Sequence, residues 1–169
     1  MIDDPNRPHL VEDGFTPIDM LLVEHEIDDV DLILHALKKY RIDVRIFWAK
    51  DGIQAEDFIF CEGEFAGRTP KNGPKVMLMD ARLAKKYGLD VLARIRQDKR
   101  TRGIPVVLEI STPGDIEIRE GYKLGANSCV MKDTNYDVFA ATIAETVFYW
   151  TKLNTDPLTP RRGIAAQVV

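Results

Sequence analysis

Five short apolar runs, each followed by a stretch of helical periodicity, confine this chain to a narrow set of folds. The runs are Met20-Leu21-Leu22-Val23, Val44-Arg45-Ile46-Phe47-Trp48, Val76-Met77-Leu78-Met79, Val106-Val107-Leu108 and Ser128-Cys129-Val130-Met131. Side chains on a strand alternate between its faces, so runs that are apolar at consecutive positions must be covered on both sides. Between them, Val30, Ile33, Leu34 and Leu37 form one stripe at helical spacing, and Leu89, Leu92 and Ile95 form another. Thr112-Pro113-Gly114-Asp115 has a capping residue, a proline at the first helical position and an acid in the first turn. Phe139, Ile143, Val147 and Trp150 mark one side of a last helix at about 135–153. The order βαβαβαβαβα with right-handed crossovers predicts an α/β fold, an open doubly wound parallel sheet with five strands and five helices. In such sheets ligands bind outside the carboxyl ends of the strands.

Composition excludes several classes. The chain has 169 residues, enough for one domain with a real core, and its net charge of −4 argues against a general nucleic-acid binder. No apolar run approaches the ~20 residues of a membrane-spanning helix. The acidic, proline-containing start MIDDPNRPHLVEDGF is unlike a signal peptide. Cys61 and Cys129 form no CxxC pair, which fits a reducing, cytoplasmic location. Residues 1–16 and 154–169 lack periodicity and are expected as flexible arms around a domain at 17–153.

The strand ends carry the chemistry. The first strand runs into Glu24-His25-Glu26, the third into Asp80, the fourth into Ile110-Ser111-Thr112 and the fifth into Lys132. Two acids and a lysine converging there suit phosphoryl transfer to a carboxylate. Asp80 would be the nucleophile, a metal ion would neutralise phosphoryl oxygens, and Lys132 would pair with the product.

The segments Leu21-Leu22-Val23-Glu24, Val76 to Gly88, Arg102-Gly103-Ile104-Pro105-Val106-Val107, and Leu124-Gly125-Ala126-Asn127-Ser128 through Lys132 resemble bacterial response-regulator receiver domains. The resemblance covers residues 18–153 with every element in order. It implies a flavodoxin-like, five-stranded parallel sheet of strand order 2-1-3-4-5. Phe60 to Arg68, Asp98 to Arg102 and the aromatic Phe148-Tyr149-Trp150 look most like stand-alone regulators that partner bacterial and cyanobacterial phytochromes. The resemblance implies Asp80 as phospho-acceptor and Lys132 as its pairing lysine. It implies Mg²⁺ held by Glu24, Asp80 and the backbone of Arg82, and a sensor histidine kinase, of the bacteriophytochrome type, as phosphoryl donor. Signalling would pass through the face made by the fourth and fifth helices and the fifth strand, with no output domain.

Several positions depart from the family pattern. The second member of the acidic pair, normally an aspartate, falls on His25; the switch Ser/Thr falls on Ile110; two usual prolines fall on Ala84 and Asp133. Mg²⁺ prefers oxygen ligands, whereas imidazole suits zinc, copper, nickel or iron, so His25 weakens the expected Mg²⁺ site. Glu26 is next along, but strand alternation keeps it from taking His25's place. Ser111 replaces the missing hydroxyl only if a bulge shifts the register by one. Glu109 interrupts an apolar strand and must reach the rim or find a cation. The alternative function is a degenerate receiver that binds partners independently of phosphorylation.

Other signals have blander readings. His25 also reads as a neutral polar filler beside Asp80, and His9 and His35 have no partners at metal spacing. Gly67, Lys71 and Gly73 lack the phosphate-loop spacing and precede a strand, so they read as a surface connection. Arg94, Arg96, Lys99, Arg100 and Arg102 read as a solvated helix end. Three consecutive aromatics span ~200° of a helix, so Phe148, Tyr149 and Trp150 cannot all face one core. They suggest a homodimer through the last helix and the C-terminal arm.

Overall fold

The computed structural model describes residues 8–69, 73–83, 87–111 and 115–155. Its elements are β1 (His9–Leu10), β2 (Met20–Val23), α1 (Ile27–Lys39), β3 (Arg45–Ala49), α2 (Gly52–Phe60), β4 (Val76–Asp80), α3 (Gly88–Gln97), β5 (Val106–Ile110), α4 (Asp115–Leu124), β6 (Ser128–Met131) and α5 (Tyr136–Phe148). A π-helical turn, Tyr149–Leu153, prolongs α5. All strands pair in parallel in the order β1-β3-β2-β4-β5-β6.

Among the described residues the sheet therefore has six strands, not five. Without β1 the order is the expected one. The additional strand comes from the segment expected as a free arm: the His9 N–H donates to the Val44 carbonyl and the Val11 N–H to the Ile46 carbonyl. An open sheet edge offers backbone groups to any extended segment, and two residues carry no apolar pattern by which to foresee the pairing. The same segment is tied down further along, where the buried Arg68 guanidinium donates to the Gly14 carbonyl (2.8 Å) and lies over the Phe58 ring.

Alternation along the strands sorts the core into two layers. Leu21, Val23, Phe47, Met77, Met79, Val106, Leu108 and Ile110 face α2, α3 and α4. Met20, Leu22, Ile46, Val76, Leu78 and Val107 face α1 and α5, meeting Val30, Ile33 and Leu37 from one helix and Phe139, Ile143 and Val147 from the other. Asp51 caps α2 by accepting from the Gln54 N–H, and Asn135 caps α5 by accepting from the Asp137 N–H. The cap read at Thr112–Gly114, the position of Ala84, Lys71 of the glycine-containing connection and nearly all of the C-terminal arm lie outside the described residues.

The basic cluster near the end of α3 is not a merely solvated face. Arg94 pairs with Glu56 (2.6 Å) and Glu62 (2.9 Å) and stacks on Phe60. Arg96 is half-buried and donates to the carbonyls of Gly125, Arg102 and Ile104. Both arginines fasten loops at the end of the sheet remote from Asp80. At the end of α5, Phe148 and Tyr149 are exposed while Trp150 packs partly into the α1/α5 layer.

Candidate functional site

The central strands end at one level: Val23 is in register with Met79, and Asp80 with Glu109. Alternation then places Glu24, Asp80, Glu109 and Lys132 on the α1/α5 side of the sheet. The end of β4 is fixed by its neighbours. The Ala81 N–H donates to the Glu109 carbonyl, the Gly88 N–H donates to the Ala81 carbonyl, and a Cβ at Gly88 would collide with the Asp80 carbonyl oxygen. Only glycine lets α3 begin this close to the acceptor strand.

Lys132 is the hub. Its Nζ donates to Glu24 Oε2 (2.6 Å), Asp29 Oδ2 (2.7 Å) and Asp80 Oδ2 (2.8 Å). The remaining carboxylate oxygens meet backbone donors. Asp80 Oδ1 accepts from the Arg82 N–H (2.6 Å), and Glu24 Oε1 accepts from the N–H groups of His25 and Glu26. The indole of Trp48 donates to the Glu24 carbonyl (2.8 Å), holding the strand end in place. Glu24 and Asp80 are buried and Asp29 stands at the rim. Burial opposes a charged Lys132, but the Glu109 carboxylate, once it ionises at high pH, and the bonds to Asp29, Asp80 and Glu24 outweigh it and hold the ammonium well above its ordinary pKa.

Glu109 meets the expectation only through space, with Lys132 as the nearby cation. It neither reaches the rim nor gains a hydrogen bond: it is fully buried, and neither carboxylate oxygen has a partner among the described residues. β5 is regular through this point, and its neighbours on both sides carry it inside the sheet. Burial pushes its pKa up to about 8 against the pull of Lys132, with Glu24, Asp80 and Asp29 adding to the rise. The regular register also answers the Ser111 question: Ile110 pairs with Met131 and is buried, no bulge intervenes, and Ser111 lies exposed beyond the strand.

His25 sits at the entrance. Its Nδ1 is 3.3 Å from Glu24 Oε1 and its Nε2 is 3.2 Å from Glu26 Oε1. β2 stops at Val23 and its ladder ends with the Glu24 N–H donating to the Ala49 carbonyl, so strand alternation does not govern His25 and Glu26. Glu26 therefore contacts His25 rather than simply pointing away from it. Ligand atoms of Glu24, His25 and Asp80 lie within 4.8 Å of one another. Atoms ringing a single ion at ~2.1–2.4 Å are separated by no more than this. At formal charges, the three carboxylates bonded to Lys132 exceed it by two, the charge of one divalent cation. The residues present fit a divalent metal.

Sequence reasoning thus located Asp80, Lys132, Glu24 and His25, which the fold brings together. It missed Asp29, whose signal was an acidic first turn in α1, and it missed Glu26 as a neighbour of His25. The Arg82 backbone joins the site through its N–H, while its side chain turns outward to Glu117 on α4 (2.7 Å). Phe148, Tyr149 and Trp150 belong to a different surface.

No protein-family model matches the chain. Among curated proteins, it is 33% identical over 141 residues to the probable methanogenesis regulatory protein FilR2 of Methanothrix harundinacea, covering 83% of this chain and 88% of that protein. It is 29% identical to the response regulator Rcp1 of Synechocystis sp., covering 93% of this chain and 99% of Rcp1. Among solved structures, the Mn²⁺-bound form of Rcp1 superposes with a TM-score of 0.75 at 29% identity, covering 83% of this chain and 99% of the other. The phosphorylated cyanobacterial phytochrome response regulator RcpA gives a TM-score of 0.75 at 28% identity, covering 83% and 98%. No helix among the described residues is long and apolar enough to cross a membrane. With an aspartate at the carboxyl end of a central parallel strand, bonded to a lysine from the last strand, the chain belongs to the response regulators and carries their receiver domain.

Proposed function

We propose that this response regulator accepts a phosphoryl group on Asp80 from a sensor histidine kinase of the phytochrome type and passes the signal on through protein contacts. The observation that carries this reading is the triple engagement of Lys132 by Asp80, Glu24 and Asp29. An Asp80 oxygen attacks phosphorus, the P–N bond to the donor imidazole breaks, and a P–O bond forms. The Arg82 N–H and Lys132 hold the carboxylate for attack, and the Lys132 ammonium, kept charged by its neighbours, faces the negative product. Glu24, Asp80 and the backbone of Arg82 would hold Mg²⁺ or another divalent ion, which would supply charge neutralisation of the phosphoryl oxygens. A cytoplasmic location follows from that donor. The phytochrome-type donor rests on likeness to Rcp1 and RcpA.

The exposed Phe148 and Tyr149, at the end of the helix facing solvent, support a homodimer through α5 and the C-terminal arm. The domain would span 17–153 with residues 8–16 packed against it.

The test is intact-mass measurement after incubation with a small phosphodonor and Mg²⁺ or Mn²⁺, and with a phytochrome-type kinase. A single phosphoryl adduct, lost in Asp80→Asn, is expected. No adduct under any of these conditions refutes the acceptor role. It would leave the second reading, a phosphorylation-independent binding module, which the buried Ile110 in the switch position favours.

A further inference from the structure

The loop after β2 carries an imidazole where the geometry of the site calls for a metal ligand, and that imidazole has an orienting partner. Three observations bear on it. His25 Nδ1 is shielded from solvent and makes no hydrogen bond among the described residues, although the whole ring is part-exposed. His25 belongs, with Glu24 and Asp80, to a group whose ligand atoms lie within 4.8 Å of one another, and Nδ1 is the nitrogen on the Glu24 side. On the other edge of the ring, Nε2 faces the Glu26 carboxylate at 3.2 Å.

A neutral imidazole has one N–H and one lone pair, and its surroundings decide which nitrogen has which. Both ring nitrogens face a carboxylate, but Glu24 Oε1, 3.3 Å from Nδ1, already accepts from two backbone N–H groups, whereas the exposed Glu26 has no such donors among the described residues, and this favours the proton on Nε2. The lone pair is then on Nδ1, beside Glu24 and Asp80. A histidine whose second nitrogen donates to a carboxylate is the usual form of a metal-ligating histidine, because that bond fixes both tautomer and ring orientation. Adjacent residues thus supply a ligand, His25, and its orienting group, Glu26.

We infer that His25 Nδ1 is a direct ligand of the divalent cation, oriented by Glu26, and that the site selects a first-row transition ion over Mg²⁺. This rests on the phospho-acceptor reading of Asp80 and deepens it. Two carboxylates and an imidazole form a mixed oxygen–nitrogen set. Such sets bind divalent ions in the rising order Mn²⁺, Fe²⁺, Co²⁺, Ni²⁺, Cu²⁺, whereas Mg²⁺ keeps oxygen ligands and water. Relative to a carboxylate at the same position, imidazole also removes one negative charge, which falls hardest on the ion held by charge alone.

Calorimetric titration of the untagged, full-length protein with MgCl2 and with CoCl2, alongside the visible absorption of bound Co²⁺, tests this without any phosphodonor. Wild type is expected to bind Co²⁺ at least about a hundredfold more tightly than Mg²⁺. His25→Asp should shift that ratio toward Mg²⁺ by about tenfold or more, and Glu26→Gln should weaken Co²⁺ about tenfold while leaving Mg²⁺ unchanged. Asp80→Asn, with Glu24→Gln, separates this site from binding at His9 or His35: loss of the Co²⁺ signal in the double variant assigns it here. A Co²⁺ to Mg²⁺ ratio identical in wild type and His25→Asp, or a Co²⁺ affinity unaltered in His25→Ala, would overturn the inference. An unchanged ratio together with Mg²⁺-dependent labelling of Asp80 sinks only the metal preference. A shifted ratio without any adduct sinks only the acceptor role.

Discussion

Glu109 is the side chain whose replacement has the clearest energetic consequence. It is fully buried, with neither oxygen hydrogen-bonded among the described residues, and its pKa is pushed from its ordinary 4.5 to about 8. Between these values the folded chain keeps a proton that the unfolded chain has lost. The unfolded state then binds fewer protons, so stability falls as pH rises, by about 1.4 kcal/mol per pH unit, and levels off above pH 8. Stability from this group is fully present below pH 4.5 and lost through about pH 8. Holding the proton at pH 7 costs about 3 kcal/mol, and full ionisation at pH 9 about 5 kcal/mol, a large share of a domain's total. Glu109→Leu, matching the apolar neighbours Val107 and Leu108, should raise the unfolding free energy at pH 7 by about 3 kcal/mol and flatten its pH profile. Glu109→Gln should flatten the profile equally but gain less, because a buried amide without partners itself costs about 1–3 kcal/mol. Urea unfolding from pH 5 to 9, taken as the difference between wild type and each variant, isolates this residue from all other titrations. Parallel profiles for wild type and Glu109→Gln would refute the reasoning. They would mean that Glu109 is ionised in the fold and that Lys132 compensates it.

Three further outcomes follow from the same geometry. Lys132→Ala leaves the buried Glu24 and Asp80 carboxylates without their shared cation, and should lower stability by about 3–5 kcal/mol in urea unfolding, part of which Asp80→Asn should restore. Gly88→Ala sets a methyl group against the Asp80 carbonyl oxygen; it should cost about 1–3 kcal/mol and slow labelling of Asp80 by the phosphodonor. Phe148→Glu with Tyr149→Glu alters exposed positions, so stability should stay within about 0.5 kcal/mol while light scattering shows the monomer mass.

What was legible in the sequence was whatever depends on local pattern. β2, β4 and β5 announced themselves because residues buried on both faces leave no polar alternation. Once the crossovers set the strand order, Asp80 and Lys132 had to end on the same side of the sheet. β1 left no such trace, since its bonds run from the His9 and Val11 backbones to an open edge and do not depend on side-chain type. Asp29 was hidden for a different reason. Its approach to Lys132 depends on where α1 begins relative to the sheet, and only the three-residue loop Glu24–Glu26 decides that. The same loop misled the alternation argument about Glu26, because alternation ends where β2 ends.

The position of charge, more than its amount, separates this site from one built of carboxylates alone. An acid is absent at residue 25 and an additional one is present at Glu109, so a simple inventory would call the site's charge conserved. The structure makes the two unequal. Residue 25 stands at the entrance beside Glu24 and Asp80, where a ligand reaches a cation. Glu109 lies beneath, enclosed by the sheet and α1/α5 layer, with no hydrogen-bond donor to its carboxylate among the described residues and a pKa of about 8 despite the pull of Lys132. At neutral pH it is a protonated carboxyl and adds no charge to the pocket. The charge that greets a cation is therefore that of Glu24, Asp29 and Asp80 against Lys132, and the chemistry that selects the cation belongs to His25.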